Sequence, residues 1–191
     1  VNISTTGNAI DFGNALSSNR QAGATSSRTR LVALGRDTAS NVIEFVTIAS
    51  TGDAQDFGDA NVARNGAPAA MSNGTRGIFA GGGDPNVTDS IEYVTIAQTG
   101  NGVDFGDLTV AHSDGARAQS STIRGIFAGG QTPATNIIDY ITIATLGNAI
   151  DFGDSLDAHQ VSRGSASPTR FVYSVGASPA NTNAISYVQI M

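Results

Sequence analysis

The sequence predicts an all-β fold built from four similar units, and three observations carry that expectation. The tripeptide Asp-Phe-Gly recurs at Asp11, Asp56, Asp104 and Asp151, with separations of 45, 48 and 47 residues. An arginine recurs in step at Arg30, Arg76, Arg124 and Arg170, each time directly before a short apolar run. No window sustains a 3.6-residue apolar period and 23 glycines punctuate the chain, which argues against helices. A period of this length marks a repeat architecture in which each unit buries its faces against its neighbours.

Taken in order, one unit begins with a small-residue strand (GAPAAMS from Gly66), followed by an arginine and an apolar strand (RGIFAGG from Arg76). A variable polar loop leads to an alternating strand (IEYVTIA from Ile91), a turn (TGN from Thr99) and a fourth strand (VDFGDLTV from Val103). Four short antiparallel strands joined by Gly and Asn turns fit this spacing. An aromatic closes the third strand at Phe45, Tyr93, Tyr140 and Tyr187. In IEYVTIA both alternating sets contain apolar residues, so both faces of the sheet are expected to be covered. Residues 1–191 read as a single repeat domain with units at approximately 1–45, 46–93, 94–140 and 141–187, and 188–191 beginning a further unit. The chain opens on a fourth-strand segment and closes on a third strand. Its first residues are therefore expected to supply the missing outer strand of the last sheet, or to be donated to a neighbouring subunit, which would remove a free edge.

Composition narrows the functional classes. Ten arginines face sixteen acids, lysine is absent and the formal net charge is −6. A chain of this charge gains little from releasing phosphate counterions, so nucleic acid is not an expected partner. Without cysteine there is neither a disulfide nor a thiolate metal site. No apolar run approaches the roughly 20 residues that span a bilayer, so membrane insertion is not expected. The first residue is Val1, which suggests that sequence upstream has been removed.

The unit resembles the kelch repeat of β-propellers. Gly81-Gly82 and Gly129-Gly130 match its double glycine, Gly35 and Gly176 keep one glycine each, and Arg64 stands where kelch repeats often carry an arginine. His112 and His159 replace that arginine in two units, and phenylalanines at 12, 57, 105 and 152 stand near the place of the kelch tryptophan. A closer resemblance is to arrays of such units in structural and tail-fibre-like proteins of tailed phages from aquatic bacteria. It is strongest over Thr75 to Gly82, Ile91 to Ala97 and Thr99 to Thr109. The resemblance implies a kelch-like β-propeller of four four-stranded antiparallel blades. A larger ring completed by other subunits and a β-solenoid are the alternatives.

Chemically suggestive residues are weighed against packing roles. A kinase magnesium loop would need a strand lysine besides its DFG, and lysine is absent. The pairs Asp56 and Asp59, Asp104 and Asp107, and Asp151 and Asp154 offer carboxylates to calcium, but two acids per unit fit turn formation better, so no metal and no cofactor are expected. His112 and His159 share a repeat position with Arg20 and Arg64, which points to a common polar contact and not to a catalytic base. The in-step arginines are expected to tie strands to backbone carbonyls or to Glu44, Glu92 and Asp139, with anion binding as the alternative.

The resemblance implies a non-enzymatic structural or adhesion module of a phage virion or extracellular appendage. Its partners would be copies of itself, other virion or appendage proteins, and a host-surface glycan or protein. A kelch-type protein-interaction adaptor and, more distantly, a carbohydrate-active enzyme are the alternatives. Loops joining second to third strands vary most, at 36–41, 83–89, 131–136 and 177–183, and loops on a rigid scaffold are free to diversify for recognition. Arg36, Asp37, Asp84, Asn86, Gln131, Asn136 and Asn181 are therefore the candidate binding residues.

Overall fold

The computed structural model describes residues 6–18, 22–35, 38–83, 87–113, 117–131, 134–159, 163–174, 176 and 183–190. These hold fifteen strands and no helix, arranged as four antiparallel sheets whose spatial order is chain order. Sheet 1 comprises β1 (Gly23–Ser26), β2 (Arg30–Leu34), β3 (Ser40–Thr47) and β4 (Gln55–Arg64). Sheet 2 comprises β5 (Ala69–Ser72), β6 (Arg76–Ala80), β7 (Thr88–Thr95) and β8 (Val103–His112). Sheet 3 comprises β9 (Arg117–Ser120), β10 (Arg124–Ala128), β11 (Thr135–Thr142) and β12 (Ile150–His159). Sheet 4 has three strands, β13 (Arg163–Ala166), β14 (Arg170–Ser174) and β15 (Ile185–Gln189), and among the described residues nothing pairs with the outer edge of β15. Residues 6–18 of the amino-terminal segment do not fill that edge. They lie against sheet 1, where Gly52 donates to the Phe12 carbonyl at 2.7 Å and Ala54 to that of Asn14 at 2.8 Å.

Each sheet buries one face against the next, which is why both faces of the inner sheets are apolar. Val32, Leu34, Ile43, Phe45 and Phe57 of sheet 1 meet Phe79, Val94 and Ile96 of sheet 2. Ile78, Ile91 and Phe105 on the far face of sheet 2 meet Phe127, Ile141 and Ile143 of sheet 3. Ile126 and Ile138 then meet Phe171, Tyr173 and Ile190 of sheet 4. Burial of each such side chain contributes about 1.5–3 kcal/mol, so these three interfaces are the core.

First strands are made of small residues because they approach one another closely: β1 packs on β5, β5 on β9 and β9 on β13, with no comparable contact from β13 back to β1 among the described residues. The Ser72 hydroxyl donates to the Ser26 carbonyl at 2.5 Å, and that of Ser120 to the Ser72 carbonyl at 2.6 Å, stitching the ends of β1, β5 and β9.

The second-to-third-strand loops are shorter than expected. Ser40, Asp89 and Asn136, read as loop residues, belong to β3, β7 and β11, because the third strands run on to pair with the far ends of the fourth. Ser40 lies opposite Arg64, Thr88 opposite His112 and Thr135 opposite His159.

Candidate functional site

The recurring residues converge on one structure, a joint between the fourth strand of one sheet and the third strand of the next. Between sheets 1 and 2, Gly100 donates to the Phe57 carbonyl and Gly102 to that of Asp59, both at 2.8 Å. Between sheets 2 and 3, Gly147 donates to Phe105 and Ala149 to Asp107, again at 2.8 Å. The Asn of the turn reaches back, Asn101 Oδ1 accepting from the Asp59 amide at 3.0 Å and Asn148 Oδ1 from that of Asp107 at 3.2 Å. The segment before sheet 1 makes the same set, with Asp53 Oδ1 accepting from the Asn14 amide at 2.8 Å.

This joint explains the Asp-Phe-Gly triplet, which lies inside the fourth strand and not at a turn. Register slips between Ile43 opposite Gly58 and Glu44 opposite Asp56, making Phe57 the extra residue of a bulge. Its ring meets Phe45 edge to face at 5.8 Å, as Phe105 meets Tyr93 at 6.2 Å and Phe152 meets Tyr140 at 6.0 Å. Asp56 Oδ1 accepts from the Gly58 amide at 3.1 Å. Gly58 and Gly106 have φ of 143° and 140°, and a Cβ on either would lie 2.5 Å from the carbonyl oxygen of Gly100 or Gly147. Only glycine permits both that backbone and that approach.

The in-step arginines bridge the same interfaces. Arg30 donates to the Ile96 carbonyl at 3.1 Å and Arg76 to that of Ile143 at 2.7 Å. Each guanidinium lies over its own sheet's aromatic, Arg30 on Phe45 at 4.6 Å, Arg76 on Tyr93 at 4.5 Å, Arg124 on Tyr140 at 4.8 Å and Arg170 on Tyr187 at 4.6 Å. The expectation of carbonyl partners holds for Arg30 and Arg76. The acids serve other groups: Glu44 Oε2 accepts from the Leu16 amide at 2.9 Å, Glu92 Oε2 from that of Asn61 at 2.8 Å and Asp139 Oδ2 from that of Thr109 at 3.0 Å.

Glu92 also holds Arg64, and both side chains are wholly buried. The guanidinium additionally donates to the Gly81 carbonyl at 2.8 Å and the Val62 carbonyl at 3.2 Å. Burial pushes Arg64 down to about 10, leaving it charged at neutral pH. One unit on, His112 occupies the corresponding position near Asp139, its Nδ1 3.3 Å from the Ser113 carbonyl oxygen. Burial lowers the His112 pKa, opposed by Ser113 and Asp139, and raises that of Asp139, opposed chiefly by its bonds from Thr109. The double glycine makes room for these side chains: a Cβ on Gly82 would lie 3.1 Å from Arg64 Cδ, and one on Gly130 2.8 Å from His112 Cβ. Arg64 and His112 thus lie near corresponding acids but with different contacts, a direct ion pair for Arg64 and a bond to the Ser113 carbonyl for His112. Arg20 lies outside the described residues.

Among the described residues no three His, Asp or Glu side chains are grouped so as to hold a metal ion. Of the candidate binding residues, Arg36, Asp37, Asp84, Asn86 and Asn181 lie outside the described residues. Gln131 stands at a turn and Asn136 in β11, both half-buried, and no hydrogen bond brings the two together. No protein-family model matches the chain, and no match was found among curated proteins.

Proposed function

We propose that this chain is a non-enzymatic structural or adhesion module of a phage virion or extracellular appendage, its four sheets serving as blades of a kelch-like β-propeller. One observation carries the reading: the charged and polar side chains that repeat in step hold sheet to sheet. Arg30, Arg76, Glu44, Glu92, Asp139 and Arg64 all contact a neighbouring sheet or the amino-terminal segment. Chemistry that recurs at joints is that of a scaffold. Recognition then falls to the variable second-to-third-strand loops, whose polar residues suit a host-surface glycan or a protein. The test is to replace Asp84, Asn86 and Gln131 by alanine together and measure attachment to host cells or partner particles. Loss of attachment by a folded variant supports the reading, unchanged attachment removes the loops from it, and turnover of glycans or sugar alcohols by the parent chain would overturn the non-enzymatic assignment.

A further inference from the structure

The turn from third to fourth strand does more than join sheets, because it also encloses a cleft. In the stretch TIAQTGNGV of sheet 2, the Gln98 amide donates to the Thr95 carbonyl at 3.0 Å and that of Ile96 to the Thr75 carbonyl at 2.9 Å. The joint bonds from Gly100 and Gly102 fix the same turn to β4. Held on three sides, it leaves a cleft of about 220 Å³ between itself and the end of β7, lined by Tyr93, Thr95, Gln98, Thr99, Asn101 and Val103. Sheet 1 repeats the cleft at the same positions, smaller at about 110 Å³, with Phe45 for Tyr93, Ser50 for Gln98 and Gln55 for Val103. In sheet 3, Leu146 and Ile150, both 57% exposed, take the places of Thr99 and Val103.

The cleft of sheet 2 is neutral and polar. Arg76 over its ring at 4.5 Å and Phe105 edge to face at 6.2 Å pin Tyr93, whose hydroxyl has no partner among the described residues. The side chains of Thr95, Gln98 and Thr99 are exposed and are likewise without partners among those residues. Asn101 is fixed through Oδ1, which accepts from the Asp59 amide at 3.0 Å, and this leaves the donors on Nδ2 free. No charged side chain lines the cleft, so nothing there selects a phosphate, a carboxylate or a metal ion. Val103 is its one exposed apolar side chain, too little to hold an acyl chain. We propose that this cleft binds one neutral sugar unit of a glycan, with Tyr93, Gln98 and Asn101 hydrogen-bonding its hydroxyls. Sugar hydroxyls both donate and accept, as the tyrosine hydroxyl and the glutamine amide do. A volume below the roughly 300 Å³ of sites for larger ligands suits a single ring, and groups already fixed by the fold lose little freedom on binding. The cleft of sheet 1 has half the volume and lacks both the tyrosine hydroxyl and the Gln98 amide, so the site belongs to sheet 2.

This site deepens the adhesion reading and rests on it for the class of partner, but it lies at the opposite end of the strands from the second-to-third-strand loops and fails separately from them. Titration of the parent chain with glucose, galactose, mannose and N-acetylglucosamine, followed through backbone amide NMR shifts, tests it. At least one of these sugars is expected to shift the amides of Thr95, Gln98, Thr99 and Asn101 saturably. Tyr93→Phe with Gln98→Ser installs the residues of the sheet 1 turn, which the fold already accommodates, and should weaken that binding about tenfold through lost hydrogen bonds. Circular dichroism confirms that the variant folds. Replacing Asp84, Asn86 and Gln131 should leave the shifts unchanged. No saturable shift with any of the four sugars overturns the proposal, as do shifts that the double variant leaves intact. Attachment lost on loop replacement, with no sugar shift at the turn, upholds the adhesion reading and refutes this site. A sugar shift at the turn, with attachment unchanged by loop replacement, upholds this site and removes the loops.

Discussion

The guanidinium of Arg64 in β4 and the carboxylate of Glu92 in β7 form a wholly buried ion pair across the joint between sheets 1 and 2. Removing one partner of such a pair strands the other charge. Arg64→Met is therefore expected to lower unfolding free energy by about 3–5 kcal/mol, and Arg64→Met with Glu92→Leu to recover most of it. Urea denaturation of the two single variants and the double variant forms the cycle. A double variant no more stable than the singles would contradict the pairing.

Gly58→Ala is expected to destabilise by about 1–3 kcal/mol from its backbone conformation alone, with displacement of the Gly100 turn adding to it. Gly100→Ala is the control, since a Cβ there meets nothing within 4 Å, and surface changes of that kind stay within about 0.5 kcal/mol. Equal effects at the two glycines would remove the close approach as the reason for the triplet.

Burial holds the His112 imidazole neutral below its ordinary 6.5, so the unfolded chain takes up that proton first. The stability this histidine contributes is present above pH 6.5 and is lost as pH falls through its folded value. Asp139 acts in the opposite sense, because its folded value is raised above 3.8: the penalty of its buried charge is relieved as pH falls through its folded value. His112→Gln should flatten the loss of stability as pH falls below 6.5, measured as urea midpoints over a descending pH series. An unchanged slope would show that His112 does not titrate with unfolding.

Arg76 stacks on Tyr93 and bonds to Ile143, whereas among the described residues Arg170 stacks on Tyr187 without such a carbonyl bond. Arg76→Leu is expected to cost about 1–3 kcal/mol. Arg170→Leu in dilute solution should cost no more than about 1 kcal/mol, the value of an exposed stacking contact. Thermal melts at low protein concentration separate the two.

The period, the strand count per unit and the burial of Phe57 and Phe105 were legible because they are local and repeat. The acids were one of two expected partners for the in-step arginines, and strand parity shows why Glu92 does not serve Arg76. Arg76 lies opposite Thr95, three residues along β7 from Glu92, and an odd separation puts the two on opposite faces. Glu92 could have been matched to Arg64 from another signal, since the pairs change together from Arg64 with Glu92 to His112 with Asp139. The joint was illegible because it links residues about 40 apart through backbone groups, which every residue carries. The placement of the amino-terminal segment on sheet 1 followed from the same bonds.

Residue-resolved amide hydrogen exchange tests the joint most directly. Gly100, Gly102, Gly147 and Ala149 stand outside every strand, yet they donate across the sheet interfaces. Their amides should exchange as slowly as those of β6 and β10, through global unfolding. Gly52 and Ala54, held by a segment anchored on one side, should exchange faster in dilute solution. Turn amides at 100, 102, 147 and 149 that exchange as quickly as Gly74, whose amide has only a local bond to the Ser72 hydroxyl, would contradict the joint and, with it, the reading of this chain as a series of sheets locked one to the next.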